Sequence, residues 1–150
     1  MKNRFITTTI LSCLAIGMLF FTSAVSKGET IVSDQIKLMA GTWTLSTKGT
    51  HVPKGGDVAA FTQTIALNFL KDAGDGSNFI TGKTFGNEIV KSSIPTAQRN
   101  GKVSFKTSHK FKGKYYEISW EGTLDATATQ ITDGKFSTPY AFGSFTAVKN

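Results

Sequence analysis

The sequence predicts an all-β domain, folded as an antiparallel β-barrel or sandwich. Short segments of alternating apolar and polar residues recur along the chain, and clusters of glycine, proline, asparagine and aspartate separate them. Their apolar residues follow the two-residue period of a strand rather than the period of a helix. About eight such segments begin with the one at Trp43, and eight is the number at which an antiparallel sheet closes into a small barrel. An up-and-down barrel is therefore the favoured architecture.

A secretory leader precedes this domain. Lys2 and Arg4 are followed by an apolar run at residues 6–21 and then by small residues at 22–26. A positively charged start, an apolar core and small residues before the cleavage site are the three parts of a signal peptide. We therefore predict a signal peptide at residues 1–26 and an exported protein, either periplasmic or secreted.

The leader leaves some alternatives open. Cleavage after Ser26 satisfies the small-x-small rule, and cleavage after Ala24 is a looser second fit. The apolar run is shorter than a membrane-spanning helix needs, which disfavours an uncleaved anchor. Lipid modification at Cys13 is disfavoured because the apolar core continues beyond it. Since Cys13 is the only cysteine, the mature chain has no thiol for catalysis, metal binding or a disulfide.

The mature chain is predicted to contain an N-terminal arm or short helix at residues 27–40 and one barrel domain at residues 41–150. Its first four strands are predicted from alternation and from the turn residues between them. They comprise residues 42–47, 61–70, 79–85 and 87–94. Loops are expected at residues 48–57, 71–78 and 95–101.

The segment from Lys102 to Glu121 predicts a β-hairpin with a defined register. Its odd positions are apolar up to Phe111, and the even positions are apolar after Lys112-Gly113. A two-residue turn at this reversal places all the apolar side chains on one face. The predicted partners are Phe111 and Lys114, His109 and Tyr116, Thr107 and Ile118, and Phe105 and Trp120. On the other face, Lys106 is expected near Glu117.

The end of the chain continues the same pattern. Residues 122–124 are expected to extend the second hairpin strand, and residues 125–128 to form a turn. The next predicted strand is 129–137, with a kink or tight turn at Asp133-Gly134. After a loop at 138–140, residues 144–148 alternate again and complete the predicted sheet.

Positive charge is concentrated in one part of the chain. The precursor has a formal net charge of +7, and no acidic residue occurs between Lys91 and Lys114. Lys102, Lys106 and Lys110 form a basic face on one predicted strand. This face predicts either a surface for an anionic partner or a solvated strand face that discourages aggregation. Export disfavours nucleic acid as the partner.

The segment Gly41-Thr42-Trp43 resembles the Gly-x-Trp start of the calycin barrels, which include lipocalins, avidins and secreted bacterial metalloprotease inhibitors. Residues 79–84 and 114–122 also resemble strands of avidins. The resemblance implies a barrel in which Trp43 packs across the closed end as a plug. Trp43 and Trp120 are the only tryptophans, so a biotin site of the avidin type is not expected.

The chain offers few candidates for a catalytic or metal-binding site. His109 with a polarising carboxylate would form a general base, but strand parity puts Glu117 on the opposite face from His109. His51 lies in a predicted glycine-rich and proline-rich loop. Residues 71–78 lack the distal glutamate of an EF-hand, which favours a solvated turn over a calcium site. We therefore predict no enzyme activity, no metal and no cofactor.

The predicted function is that of an exported, non-catalytic binding protein with a small apolar or amphipathic ligand in a lipocalin-like barrel. Its candidate ligand-binding residues are Phe69, Phe105, His109, Tyr116 and Trp120. These rings alternatively do no more than fill the core. The alternative function is a secreted interaction protein, either a protease inhibitor or a binder of anionic surfaces, acting through the arm or the basic face. The mature form is expected to have no membrane span.

Overall fold

The structure is a computed structural model that describes residues 34–52, 54, 56–71 and 78–150. The predicted signal peptide at residues 1–26 and most of the candidate calcium loop lie outside the described residues. Within the described residues, no helix is long and apolar enough to cross a membrane. Residues 34–39 are helical and lead directly into the sheet.

The described residues form one sheet of nine antiparallel strands. The first five are β1 (Gly41–His51), β2 (Ala59–Phe69), β3 (Ile80–Thr84), β4 (Asn87–Ser92) and β5 (Thr96–Ala97). The others are β6 (Gly101–Phe111), β7 (Lys114–Leu124), β8 (Gln130–Ser137) and β9 (Ala141–Lys149).

Pairing of β4 with β6 closes the sheet into an eight-stranded, up-and-down barrel. The order around the barrel is β1, β2, β3, β4, β6, β7, β8 and β9, and β9 returns to pair with β1. The two-residue strand β5 lies against β6. Closure satisfies the backbone groups that an open sheet leaves at its edges. The predicted all-β barrel is confirmed.

The hairpin of β6 and β7 has the register that strand parity predicts. His109 is opposite Tyr116, and Phe105 is opposite Trp120. The turn residues have φ angles of 47° at Lys112 and 77° at Gly113. Two central residues with positive φ match the twist of the flanking strands. Glycine adopts this conformation freely, whereas Lys112 adopts it at a steric cost.

Two strands are longer than the sequence predicts, because β1 and β9 pair across a pair of glycines. Gly49, in a segment predicted to be a loop, is opposite Gly143, which precedes the predicted last strand. A Cβ at Gly143 would lie 2.1 Å from the Lys48 carbonyl oxygen and 2.8 Å from the Phe136 ring. The glycines therefore leave space for that ring on the inner face. The predicted kink in β8 is a bulge, with a φ of 52° at Asp133.

Aromatic rings fill the middle of the barrel. Trp120 is fully buried, and its ring is 5.8 Å from Phe105, 5.5 Å from Phe136 and 5.3 Å from Phe145 between centroids. Its indole N–H donates a hydrogen bond to Thr107 Oγ1 at 3.0 Å. Burying an aromatic ring of this size stabilises a fold strongly, provided that its polar atom has a partner. The middle of the barrel is thus a packed core.

The helical segment covers one end of the barrel. The Trp43 indole N–H donates to the Met39 carbonyl at 2.7 Å. Lys149 Nζ donates to the Leu38 carbonyl at 3.1 Å and lies 5.6 Å from the centroid of the Trp43 ring. Trp43 is fully buried at this closed end.

Candidate functional site

The other end of the barrel is open and contains a cavity of about 740 Å³. The end of β1, the start of β2, the β3–β4 turn, the β6–β7 hairpin and the β8–β9 loop surround it. The strands place side chains of one parity inside the barrel, so residues near these strand ends point toward the cavity. Its larger lining residues are His51, Phe61, Phe85, His109, Phe111, Tyr116 and Tyr140.

Phe85 forms the floor of this cavity. It occupies the β3–β4 turn with Gly86, and the two residues have φ angles of 50° and 81°. This turn directs the Phe85 ring back into the barrel, 5.5 Å from the Phe61 ring and 5.6 Å from the Phe136 ring. The same ring stacks on Trp120 at 6.4 Å. Phe85 therefore separates the cavity from the packed core.

A continuous set of aromatic rings forms one wall. His109 and Tyr116 are cross-strand partners whose rings stack 5.8 Å apart. Tyr116 also lies 5.9 Å from Tyr140 and 6.4 Å from Phe111. Such rings offer a large apolar surface, and the tyrosines add a polar hydroxyl to it.

His109 provides a buried polar group beside this wall. Its side chain is 8% exposed, and Nδ1 lies 3.2 Å from the hydroxyl of the buried Thr84. Burial lowers the pKa of His109, so the neutral imidazole predominates at pH 7. A neutral imidazole has one donor and one acceptor nitrogen, so it can orient a ligand through a hydrogen bond.

The cavity lining contains no carboxylate, lysine or arginine among the described residues. Its polar groups are histidines, tyrosines, threonines and two amides, Gln63 and Asn87. An uncharged, mainly apolar lining with a few hydrogen-bonding groups is typical of sites for small organic molecules.

The structure divides the predicted ligand-binding residues into two groups. His109 and Tyr116 line the cavity. Phe69, Phe105 and Trp120 belong to the packed core below the floor. Sequence reasoning did not single out Phe85 or Tyr140. Gly86 lies between two predicted strands and is a hairpin-turn signal, which identifies Phe85, the last residue of the first of these strands, as an end residue.

The predicted basic face is interrupted by an ion pair. Lys106 Nζ lies 2.7 Å from a carboxylate oxygen of Glu117 on the outside of the barrel, as the predicted register requires. Lys102 is near the start of β6, and Lys110 is near its other end at the cavity. Glu117 therefore pairs with a lysine outside the barrel, on the opposite face from His109.

The described part of the predicted N-terminal arm packs against the barrel. Met39 is fully buried, and Ile36 is also buried. These residues are therefore not free to insert into another protein. No protein-family model matches this chain, and no curated protein matches its sequence.

Proposed function

We propose that this chain is an exported, non-catalytic binding protein that holds one small apolar or amphipathic molecule in the open end of its barrel. The observation that best supports the proposal is the cavity. Its volume of about 740 Å³ is within the range of roughly 300–1,000 Å³ that is common for small-molecule sites.

The lining residues have distinct roles in this proposal. Phe61 and Phe85 contact the most deeply inserted part of the ligand, and Tyr116 and Tyr140 pack along its side. Burial of apolar ligand surface against these rings contributes most of the binding free energy. His109 supplies a hydrogen bond that fixes the ligand's orientation, and a neutral ring avoids the cost of desolvating a charge.

An amphipathic ligand suits the cavity because one side is open. Apolar atoms would contact the aromatic floor, and a polar end would remain at the mouth with His51 and Asn87, which also line it. The separation of Glu117 from His109 supports binding rather than general-base catalysis. The signal peptide predicted at residues 1–26 supports export.

The proposal is tested by ligand binding to protein purified in its exported form. Native mass spectrometry of the fresh protein reports any molecule that copurifies. Titration with 8-anilinonaphthalene-1-sulfonate, an amphipathic fluorescent probe, then measures affinity. The decisive variant is Ala141→Phe, which places a ring at an inward position that lines the cavity. The matched control is Thr146→Phe, on the exposed face of the same strand.

We expect Ala141→Phe to weaken probe binding at least about tenfold and Thr146→Phe to leave it unchanged, since only the first variant occupies the cavity. Both variants must keep the circular dichroism of the parent. Equal probe affinity in the two variants would refute a binding site at the open end.

A further inference from the structure

Exposed apolar side chains surround the mouth of the cavity. Val52, Phe111 and Tyr140 are 40%, 47% and 40% exposed, and Val58 is 65% exposed. Val52 and Val58 lie in the β1–β2 connection, Tyr140 lies in the β8–β9 connection, and Phe111 is the last residue of β6. Single exposed apolar residues are normal on a protein surface, but a group of them around one opening marks an interaction site.

Contacts link three of these residues, Val52, Tyr140 and Phe111, around the mouth. The Val52 amide donates a hydrogen bond to the Tyr140 carbonyl at 2.7 Å. The Tyr140 ring lies 5.9 Å from Tyr116, which lies 6.4 Å from Phe111. The apolar rim therefore runs continuously from the β1–β2 connection past the β8–β9 loop to the β6–β7 hairpin.

Three lysines of the β6–β7 hairpin lie next to the rim. Lys112 Nζ lies 5.4 Å from the Phe111 ring, Lys110 Nζ lies 5.8 Å from the Tyr115 ring, and Lys114 is opposite Phe111. No carboxylate among the described residues forms an ion pair with any of the three, whereas Lys83 and Lys106 are paired.

The charge around this hairpin is positive over a long stretch. No acidic residue occurs from residue 89 to residue 116. In the β1–β2 connection, Lys54 and Asp57 balance each other in formal charge. The rim thus combines apolar rings with a net positive charge.

We propose that this rim, formed by Val52, Val58, Phe111 and Tyr140 with the three hairpin lysines, docks the barrel mouth onto a bilayer containing anionic phospholipid. Aromatic rings partition into the headgroup region of a membrane, and adjacent lysines are attracted to anionic headgroups. An anionic bilayer satisfies both features of the rim at once, since it offers an apolar interior beneath a negatively charged surface.

Docking in this orientation turns the open end of the cavity toward the lipid. If the cavity holds an apolar molecule, as proposed above, the molecule passes between bilayer and barrel without crossing water. The docking itself does not depend on a cavity ligand, so the two proposals are tested separately.

The test is cosedimentation of the exported protein with phosphatidylcholine vesicles, with and without phosphatidylglycerol. The hairpin variant is Lys110→Gln/Lys112→Gln/Lys114→Gln. The matched control is Lys91→Gln/Lys102→Gln/Lys135→Gln, in which three exposed lysines of the barrel wall lose the same charge.

We expect the parent to bind vesicles containing phosphatidylglycerol and the hairpin variant to bind them about 100-fold more weakly, because each lysine near an anionic surface contributes several-fold to the partition coefficient. The control variant with three substituted wall lysines should lose much less of its affinity for the vesicles, although its net charge equals that of the hairpin variant. Equal losses in the two variants, or no binding of the parent, would overturn the proposal.

A second pair of variants tests the apolar contribution. Phe111→Ser removes an exposed ring from the rim, and Val148→Ser removes an exposed apolar side chain from the far end of β9. Only the first should weaken vesicle binding, and the difference should persist at high salt, which screens the lysines. The probe titration in solution, without vesicles, reports the cavity independently. If the parent protein binds the probe normally but does not bind the vesicles, docking alone is refuted.

Discussion

The rings of Phe85 and Trp120 stack 6.4 Å apart with only 10° between their planes. This contact is the boundary between the packed core and the open cavity. Phe85 has a φ of 50°, a conformation that is costly for a bulky side chain. The contacts of its ring with Phe61 and Phe136 offset this cost, so the turn and the aromatic cluster stabilise each other.

Removing the Phe85 ring should extend the cavity down to Trp120. We expect Phe85→Ala to increase acrylamide quenching of tryptophan fluorescence and to lower the free energy of unfolding by about 2 kcal/mol, because the ring is only half-buried. Trp43 lies at the closed end, so the change in quenching reports Trp120. Phe85→Gly should be about 1 kcal/mol more stable than Phe85→Ala, since glycine tolerates the positive φ. Unchanged quenching would show that the ring is not the floor.

The two faces of the β6–β7 hairpin should respond differently to substitution. Trp120→Ala should cost roughly 3–5 kcal/mol through lost core packing. The variant Lys102→Glu/Lys106→Glu/Lys110→Glu should remain folded, because exposed substitutions usually change stability by less than about 0.5 kcal/mol each. The exposed Lys106–Glu117 pair adds little, at most about 1 kcal/mol. Urea unfolding measures both variants, and the reverse order of stability would contradict the assigned faces.

Protonation of His109 should destabilise the barrel. Burial lowers its pKa from an ordinary value of 6.5, so the unfolded chain binds the proton more readily than the folded chain. This contribution to stability is therefore complete above pH 6.5 and is lost as the pH falls below it. We expect His109→Asn to remove this part of the pH dependence of the urea midpoint. His51→Asn, which changes an exposed histidine, is the control. A lowered pKa should also be visible in the NMR titration of the His109 ring.

The β7–β8 turn should weaken in acid because of Asp125. The Thr127 hydroxyl and the backbone amides of Gln130 and Thr129 donate to its carboxylate and hold its pKa well below the ordinary value of 3.8. The turn's contribution to stability is complete above pH 3.8 and declines as the pH falls further. In urea unfolding at a series of pH values, Asp125→Asn should make the free energy of unfolding fall less steeply at low pH. Asp57→Asn, in the β1–β2 connection, should not have this effect. If the free energy of unfolding fell equally steeply at low pH in the parent and in Asp125→Asn, this role of Asp125 would be excluded.

The register of the β6–β7 hairpin could be predicted from the sequence, because the alternation of apolar and polar residues determines which face each side chain occupies. The reversal at Lys112-Gly113 fixes which residues of β6 and β7 face each other. The extension of β1 and β9 through Gly49 and Gly143 could not be predicted. Glycine is a turn signal in a sequence, and the ring that requires this glycine pair comes from β8.

The cavity lining could be predicted only in part, because alternation shows which face a side chain is on but not how far along the barrel it lies. Phe105 and His109 share the inner face of β6, four residues apart. This spacing corresponds to about 13 Å along a strand, enough to place one in the packed core and the other in the cavity wall. Depth depends on where the other strands end and on the turn that carries Phe85.

The pairing of β1 with β9 also determines when the barrel can form. Trp43, in the first strand, is the register partner of Lys149 in the last. Until β9 has been synthesised, β1 and β8 each lack a neighbour, and the ring of Phe145 is missing from the core. Contacts between such distant parts of a chain form slowly, in milliseconds to seconds for many β-proteins. The barrel therefore completes its folding only after translation of its last strand.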